Sequence, residues 1–344
     1  MRRRAAGNVQ AAVASAEKPG KPVDRAGRAG HIAPMPPSSW IVTAPLAGLQ
    51  AQALGLAEAA GLMPEHRLLT PRAPWRYFAA RLWPAPLSAV APAVDPPLPE
   101  IVIGCGGVAA AVGAALRRQG VRAVQIQHPR MDPTRFDFVL VGPHDGLTGP
   151  NVIVTRTALH RATPARLAAA AEIWRPRLAH LPRPLVAVLI GGANGRYRFG
   201  AAEAEALAAQ LGGLMAADRV GLAVTPSRRT APEVQTALAT ALAPRGAYLW
   251  DGAGENPYFG LLALADAIIV SEDSVSMISE AVATAAPVLI ARLPGRSRRQ
   301  RQFTAGLIGM GRVREFRGRL DLWPVSSLDD TEAAAAMLRR HLGY

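Results

Sequence analysis

The sequence predicts an α/β protein built as two Rossmann-like domains whose parallel sheets face a central cleft. Three observations predict it. The chain has 344 residues, enough for two domains of about 150. Short apolar runs of strand length alternate with helical patterns, and the alternation restarts after the stiff bridge Leu181-Pro182-Arg183-Pro184. Each half also carries a glycine-rich turn directly after a buried-strand run, Gly104-Cys105-Gly106-Gly107 in the first and Gly191-Gly192-Ala193-Asn194-Gly195 in the second.

In chain order, residues 1–37 are rich in Arg, Ala, Gly and Pro without a sustained period, so they predict a disordered basic tail. A transit-like segment and an upstream start ahead of Met35 are its two readings. The N-terminal domain, 38–181, opens with the strand Trp40 to Thr43 and a helix from Leu46 to Ala60, stopped by Gly61. Further strands are expected at Leu68-Leu69, Ile101 to Ile103, Val121 to Ile126, Phe138 to Val141 and Val152 to Val154. Helices are expected near Trp75 to Trp83, Val108 to Gln119 and Pro164 to His180. The C-terminal domain, 182–323, predicts strands at Leu185 to Ile190, Val220 to Val224, Ala247 to Trp250 and Val288 to Ile290, and helices at Ala201 to Met215 and Pro232 to Leu242. Residues 324–344 close the chain as a C-terminal segment and helix.

The stretch Tyr248 to Pro287 reads as helix, buried strand, polar loop and helix. Ala267 to Val270 suits a strand covered on both faces, and Ser271-Glu272-Asp273-Ser274 stops it. A helix starting near Ser274 to Ser276 would turn unpaired backbone N–H groups toward the crevice beyond the strand, where open α/β sheets bind ligands. Glu272 and Asp273 oppose an anion there unless they cap backbone or reach ligand hydroxyls. A capped helix in an α/β core explains the same pattern.

Composition narrows the partners. The net charge is +14, carried mostly by residues 1–30, with seven basic side chains against Glu17 and Asp24, and by residues 292–319, with nine arginines against Glu315. Few aromatic residues interleave these runs, so phosphate-bearing small molecules or anionic lipid headgroups are expected ahead of nucleic acid, beside a merely solvated arginine-rich surface. If the run from Arg292 to Arg319 binds lipid, vesicle binding should need anionic lipid and weaken with salt. The longest uncharged apolar run, Ile101 to Leu116, carries four glycines and does not suit a membrane span. The one cysteine, Cys105, excludes an internal disulfide and reads as a buried inert thiol.

Several strand ends carry groups for chemistry. Thr225-Pro226-Ser227-Arg228-Arg229-Thr230 offers two guanidiniums and three hydroxyls in one loop, a diphosphate clamp or a solvated turn. Gln127-His128-Pro129-Arg130 and Gly142-Pro143-His144-Asp145 place His128, His144 and Asp145 where one could act as general base; a merely hydrogen-bonded histidine is the alternative. No His/Glu cluster has metal-ligand spacing and no Gly-x-Ser-x-Gly elbow occurs, so neither a metal centre nor a serine hydrolase is expected; no cofactor is expected either.

Trp250-Asp251-Gly252, Asn256-Pro257-Tyr258, Ala265-Asp266, Glu272 to Ser276 and Ser279-Glu280-Ala281, with Gln125 to Arg130, Arg228-Arg229-Thr230 and Leu328 to Thr331, resemble the mitochondrial-fission family named for elongated mitochondria. The resemblance covers about residues 40–335 and suits a bacterial-type member. More distantly, both halves resemble GT-B glycosyltransferases, especially the N-acetylglucosaminyltransferase that forms lipid II. That likeness implies a nucleotide-sugar site in the interdomain cleft, with Ser276 and Met277 near phosphate and Glu280 on the ribose, helped by Gly191, Gly192, Asn194, Ser227, Arg228, Arg229, Asn256, Glu272, Asp273 and Ser274. On the acceptor side it leaves Gly48, Gln52, Gly104 and Gly106; the family's Asp-Gly opening and its Gly-Arg-x-Thr are replaced here by Thr43 to Gly48 and Gly104 to Gly107.

The expectation is a protein that binds a nucleotide-sugar or other phosphorylated small molecule and transfers the sugar without a metal. The alternative is a non-catalytic interaction protein that recruits a partner to a membrane and keeps a relic cleft. A nucleotide-sugar epimerase shares the donor site but needs a base and an acid around the sugar. The expected location is cytoplasmic and peripheral on the inner face of a membrane, with mitochondrial association in a eukaryote.

Overall fold

The computed structural model describes residues 36–343; the expectation for the basic tail lies, for residues 1–35, outside the described residues. Two six-stranded parallel sheets form the frame. The first is built from β1 (Ser39–Thr43), β2 (Glu65–Leu68), β5 (Ile101–Cys105), β6 (Arg122–Ile126), β7 (Phe138–Val141) and β8 (Val152–Val154), in the order β2-β1-β5-β6-β7-β8. The second contains β9 (Leu185–Ile190), β10 (Gly221–Pro226), β11 (Tyr248–Leu249), β12 (Ala267–Ser271), β13 (Val288–Ala291) and β14 (Val313–Glu315), in the order β11-β10-β9-β12-β13-β14. Strand order thus reverses between β9 and β12, and between β1 and β5. Those reversals open a crevice at the carboxyl ends of the strands. β3 (Thr70–Pro71) and β4 (Val90–Ala91) form a small antiparallel ladder.

The inner strands read as near-continuous apolar runs because both faces are covered, whereas the edge strand β2, Glu65–Leu68, is polar and mostly exposed and starts ahead of the expected Leu68-Leu69. In β9, Leu185, Ala187 and Leu189 enter one core and Val186, Val188 and Ile190 the other, the period of two that a pleated strand imposes. The first core holds α3 (Pro164–Leu178), α6 (Tyr258–Leu264) and α7 (Val275–Val282); the second holds α4 (Ala201–Asp218) and α5 (Pro232–Leu242). On the first sheet, α2 (Gly107–Arg117) covers one face and α1 (Ala47–Ala59) the other. Cys105 is fully buried, and burial pushes its thiol well above the ordinary range, as an inert core residue requires.

The chain crosses between the lobes twice. α3 packs through Trp174 and Leu178 into the core of the second sheet, and Gly260 of α6 meets Trp174 so closely that an added Cβ would lie 2.4 Å from the indole. The first crossing therefore lies between β8 and α3, ahead of the Pro182–Pro184 bridge that the sequence suggests. The second returns α9 (Asp330–Leu342) to the first sheet, where Ala334, Ala335, Leu338 and Leu342 join Ile41, Leu56 and Ile103.

Trp75 to Trp83 is not one helix. It forms two 3-10 turns, Trp75–Tyr77 and Ala80–Leu82, separated by extended backbone at Phe78 and Ala79. The arginine-rich stretch, by contrast, contains α8 (Arg298–Gly309), capped by Ser297. No helix among the described residues is long and apolar enough to cross a membrane.

Candidate functional site

A cavity of about 250 Å³ opens between the lobes. The first lobe supplies the ends of β6 and β7 and the loops after β7 and β8; the second supplies the first turns of α7 and α8. Each wall follows from local sequence. Ser274 caps α7 by accepting from the Met277 N–H at 3.4 Å, and Ser297 caps α8 by accepting from the Gln300 N–H at 3.3 Å. Two helix N-termini thus converge on one cavity, where their dipoles favour an anion. Arg156, Arg196 and Arg299 add guanidiniums, and Thr157 adds a hydroxyl that is buried without a hydrogen-bond partner.

Of the sequence-predicted residues, Gln52, His144, Asp145 and Ser276 line this cavity. Gly48 lies against it from α1; a Cβ there would stand 3.7 Å from the Ser276 hydroxyl. His144 is not a free base. Arg299 donates from Nε to its Nε2, and donates from a terminal nitrogen to Asp145 at 3.0 Å. Burial, then the Arg299 charge, lower the His144 pKa, while Asp145 opposes them. His144 therefore stays neutral near pH 7, with its outward nitrogen engaged across the cleft. His128 lies elsewhere and accepts from the Arg130 N–H at 2.9 Å.

The predicted phosphate loop has a different occupant. The Asp273 carboxylate accepts from the Gly192 N–H at 2.9 Å, from Arg229 at 3.0 Å and from the Ser271 hydroxyl at 2.7 Å. Ser271 in turn accepts from the Gly191 N–H at 2.7 Å, and Asn194 donates to the Asp273 carbonyl at 3.2 Å. The glycines are needed for this close approach: a Cβ on Gly191 would stand 2.2 Å from Asp273, and one on Gly192 2.1 Å from the Arg229 carbonyl. Ser227 and Thr230 close the loop, with the Thr230 hydroxyl on the Ile190 and Gly191 carbonyls at 3.1 and 2.5 Å. Arg229 is thus spent internally, and Arg228 alone of the pair stands exposed without a partner among the described residues. Glu272 is likewise held by Arg292 at 2.6 Å. Asn256, just ahead of α6, accepts from the Tyr258 N–H at 2.9 Å.

Glu280 lies apart from the cavity lining. It is buried, and the Tyr258 hydroxyl donates to its carboxylate. Burial raises the Glu280 pKa to about 7; Tyr258 and Arg161 only partly offset it. Ser279 accepts from the Ala158 N–H at 3.0 Å and so holds the interlobe crossing. An acid whose folded pKa is raised favours folding while protonated, so its contribution is full below the unfolded value near 4.5 and is lost as pH rises through about 7. Glu280→Gln keeps an acceptor for Tyr258 and carries no charge. It should stabilise by roughly 2 kcal/mol at pH 8 and have little effect at pH 4, read from urea melts at the two pH values.

Gly104 and Gly106 serve packing. A Cβ on Gly104 would lie 2.9 Å from the Gln125 amide oxygen, and Gly106 adopts φ +94 at the start of α2. Sequence reasoning missed Arg156, Arg196, Arg299 and Thr157. Thr155-Arg156-Thr157 after β8 was a legible polar strand end, whereas Arg299 was hidden inside a charge run. Of the nine arginines in that run, Arg292, Arg299, Arg314, Arg317 and Arg319 pair with carboxylates, and buried Arg312 donates to the Val282, Thr284 and Ala286 carbonyls that end α7. Most of that charge is therefore spent within the fold.

Comparison with known proteins places the chain. The sequence profile of the family described as Mitochondrial fission ELM1 matches residues 47–342. The mitochondrial fission protein ELM1 of Arabidopsis thaliana is 35% identical over 274 residues, covering 71% of this chain and 64% of the plant protein. This chain thus spans less than two thirds of that relative's length. The uncharacterized protein RP120 of Rickettsia prowazekii (strain Madrid E) is 25% identical over 235 residues, 57% of this chain and 66% of that protein. Among solved structures, the UDP-GlcNAc 2-epimerase of Methanocaldococcus jannaschii matches with a TM-score of 0.53 and 10% identity, over 88% of this chain and 99% of that one. Arabidopsis thaliana UGT89C1, complexed with UDP-L-rhamnose, matches with a TM-score of 0.50 and 12% identity, over 89% and 93%. Identities this low bear on fold alone, and the fold is the two-lobed GT-B type. With a family match along most of its length and a relative at 35% identity, this chain belongs to the mitochondrial fission ELM1 family.

Proposed function

We propose that the chain binds a nucleotide-sugar, through its diphosphate, in the cavity between the lobes. The observation that carries this reading is the convergence of the α7 and α8 N-termini with Arg156, Arg196 and Arg299 on one cavity. Fixed N–H groups and guanidiniums suit a diphosphate, and the unpartnered Thr157 hydroxyl has hydrogen-bonding capacity for a sugar or phosphate oxygen. UGT89C1, whose structure carries UDP-L-rhamnose, has the same fold, which supports a nucleotide-sugar over other phosphorylated ligands.

Arg299 links binding to chemistry. A phosphate entering the cavity competes with His144 and Asp145 for its guanidinium, and once Arg299 turns to the phosphate, His144 Nε2 is free to accept a proton from an acceptor hydroxyl. Sugar transfer without a metal is the reaction this arrangement can serve: the deprotonated acceptor oxygen bonds to the anomeric carbon as that carbon's bond to the diphosphate oxygen breaks, and the nucleoside diphosphate leaves onto Arg299 and the α7 and α8 N-termini. In this reading the Gly191–Gly192 loop supports the site from behind and does not touch phosphate.

Thermal unfolding with a panel of uridine, guanosine and adenosine diphosphate sugars tests binding. A ligand at a hundred times its dissociation constant stabilises by about 2.7 kcal/mol. If no member of the panel raises the melting temperature, the reading falls.

A further inference from the structure

The segment after β3 holds large apolar side chains in water by construction. Tyr77, Phe78 and Leu82 are 70%, 57% and 65% exposed. They are not loosely placed. Trp83 beside them is buried, and its indole N–H donates to the Trp75 and Phe78 carbonyls at 3.2 and 3.3 Å, which pins both 3-10 turns. The β3–β4 ladder and buried Leu69 and Val90 anchor the base of the loop. Leaving such side chains in water forgoes the burial that stabilises most folds, and a patch of this kind marks a surface that meets something apolar.

Its charge indicates what that is. Arg72, Arg76 and Arg81 lie within the same twelve residues, which contain no acid. Arg76 stacks 4.8 Å from the centre of the Tyr77 ring and donates to its hydroxyl at 2.5 Å, so charge and ring are presented together. Arg81 also forms one wall of a groove of about 370 Å³ shared with Arg117, Arg118 and Arg135. Two acids lie nearby: Asp137 pairs with Arg117 at 3.2 Å, and Asp132 is close enough to Arg135 for its pKa to fall, though chiefly through the Thr134 N–H. Arg72, Arg76, Arg81, Arg118 and Arg135 form no ion pair among the described residues. Aromatic and aliphatic side chains ringed by unpaired arginines match the boundary between headgroups and acyl chains, where rings and Leu enter and guanidiniums meet phosphates. A nucleic-acid groove would stack bases on rings and would have no use for exposed Leu82.

We propose that this face of the first lobe, Arg72 to Leu82 with the Arg81–Arg118–Arg135 groove, docks the protein on a membrane surface rich in anionic phospholipid. The surface is separate from the interlobe cavity and from the α8 arginines.

Sedimentation of the full-length chain with vesicles tests it. Binding is expected to vesicles of phosphatidylcholine and phosphatidylglycerol in equal parts, to be weak on phosphatidylcholine alone, and to fall with salt. The triple variant Tyr77→Ser, Phe78→Ser, Leu82→Ser and the triple variant Arg81→Glu, Arg118→Glu, Arg135→Glu should each melt like the parent. Each should lose binding, the arginine variant by about fivefold for every arginine replaced. Reversal of Arg296, Arg298 and Arg301 on the other lobe should change binding less than twofold, a control for charge alone. The proposal is overturned by equal binding to neutral vesicles, by parent-like binding of either triple variant, by loss only on reversing Arg296, Arg298 and Arg301, or by competition from millimolar glycerol 3-phosphate, which would make the groove a site for soluble phosphate. Single-stranded RNA that displaces the vesicles through the same arginines would assign the face to nucleic acid instead.

Discussion

Asp273→Ala lowers the stability of the protein by about 4 kcal/mol, more than any other single change to the cleft is expected to cost. The reason lies in what the carboxylate holds. Its side chain is fully buried and accepts from Gly192, Arg229 and Ser271, and those bonds fix the turn after β9 against the turn after β12. Without it the Gly192 N–H and the Ser271 hydroxyl are buried with no acceptor, each costing about 1–3 kcal/mol, while half-exposed Arg229 recovers water. Asp273→Asn should recover part of the loss by keeping one acceptor. A loop built to receive a ligand phosphate would behave otherwise: removing an acid from it would leave stability nearly unchanged and strengthen anion binding. Urea unfolding of the two variants distinguishes these cases.

Asp330→Ala is expected to cost about 3 kcal/mol, by unfastening the two crossings between the lobes. Asp330 accepts from the Arg156 and Thr157 N–H groups and from the Arg156 guanidinium, at 2.5 Å for its closest terminal nitrogen. Next to it, the Thr331 hydroxyl accepts from the His160 N–H at 3.2 Å. The two stretches therefore form one strap beside the cavity, and Arg156 and Thr157 line that cavity directly. Loosening the strap should lower ligand affinity as well as the melting temperature. A variant that melts lower but binds unchanged would show that the strap supports the fold and not the site.

The inner strands were legible because they are short apolar runs buried on both faces, as β9 and β12 are at the switch point of the second sheet; the edge strands β2, exposed Glu65–Leu68 where Leu68-Leu69 was expected, and β14, the unforeseen Val313–Glu315, carry polar residues and gave no such signal. Which sheet a helix covers was not. Periodicity places α3 and α9 on the chain, but only the contact of Trp174 with Gly260 and of Leu338 with the first core assigns each to its lobe. α8 was lost because its solvent face is crowded with arginines that read as a surface charge run. Trp75 to Trp83 read as helix by composition, and its extended Phe78 and Ala79 override that pattern.

The candidate site was legible by region more than by residue. The start of α7 was placed correctly at Ser274 to Ser276, and Ser276 lines the cavity. Glycines at Gly191 and Gly192 signal close approach to a negative group, and in sequence a ligand phosphate and the protein's own Asp273 look alike. Glu280 carries the family likeness but meets Tyr258 in the fold, a partner from a separate helix.

Calorimetric titration of the best nucleotide-sugar, or of its free nucleoside diphosphate, into the parent chain, Arg299→Ala and Arg228→Ala tests the central claim most directly. Arg299 lines the cavity, while Arg228 is exposed on the turn first read as a phosphate clamp. The account predicts that Arg299→Ala weakens binding by about 10- to 100-fold, the worth of a charge-assisted hydrogen bond, and that Arg228→Ala stays within about twofold of the parent. The reverse pattern, or affinity equal in all three, would contradict it.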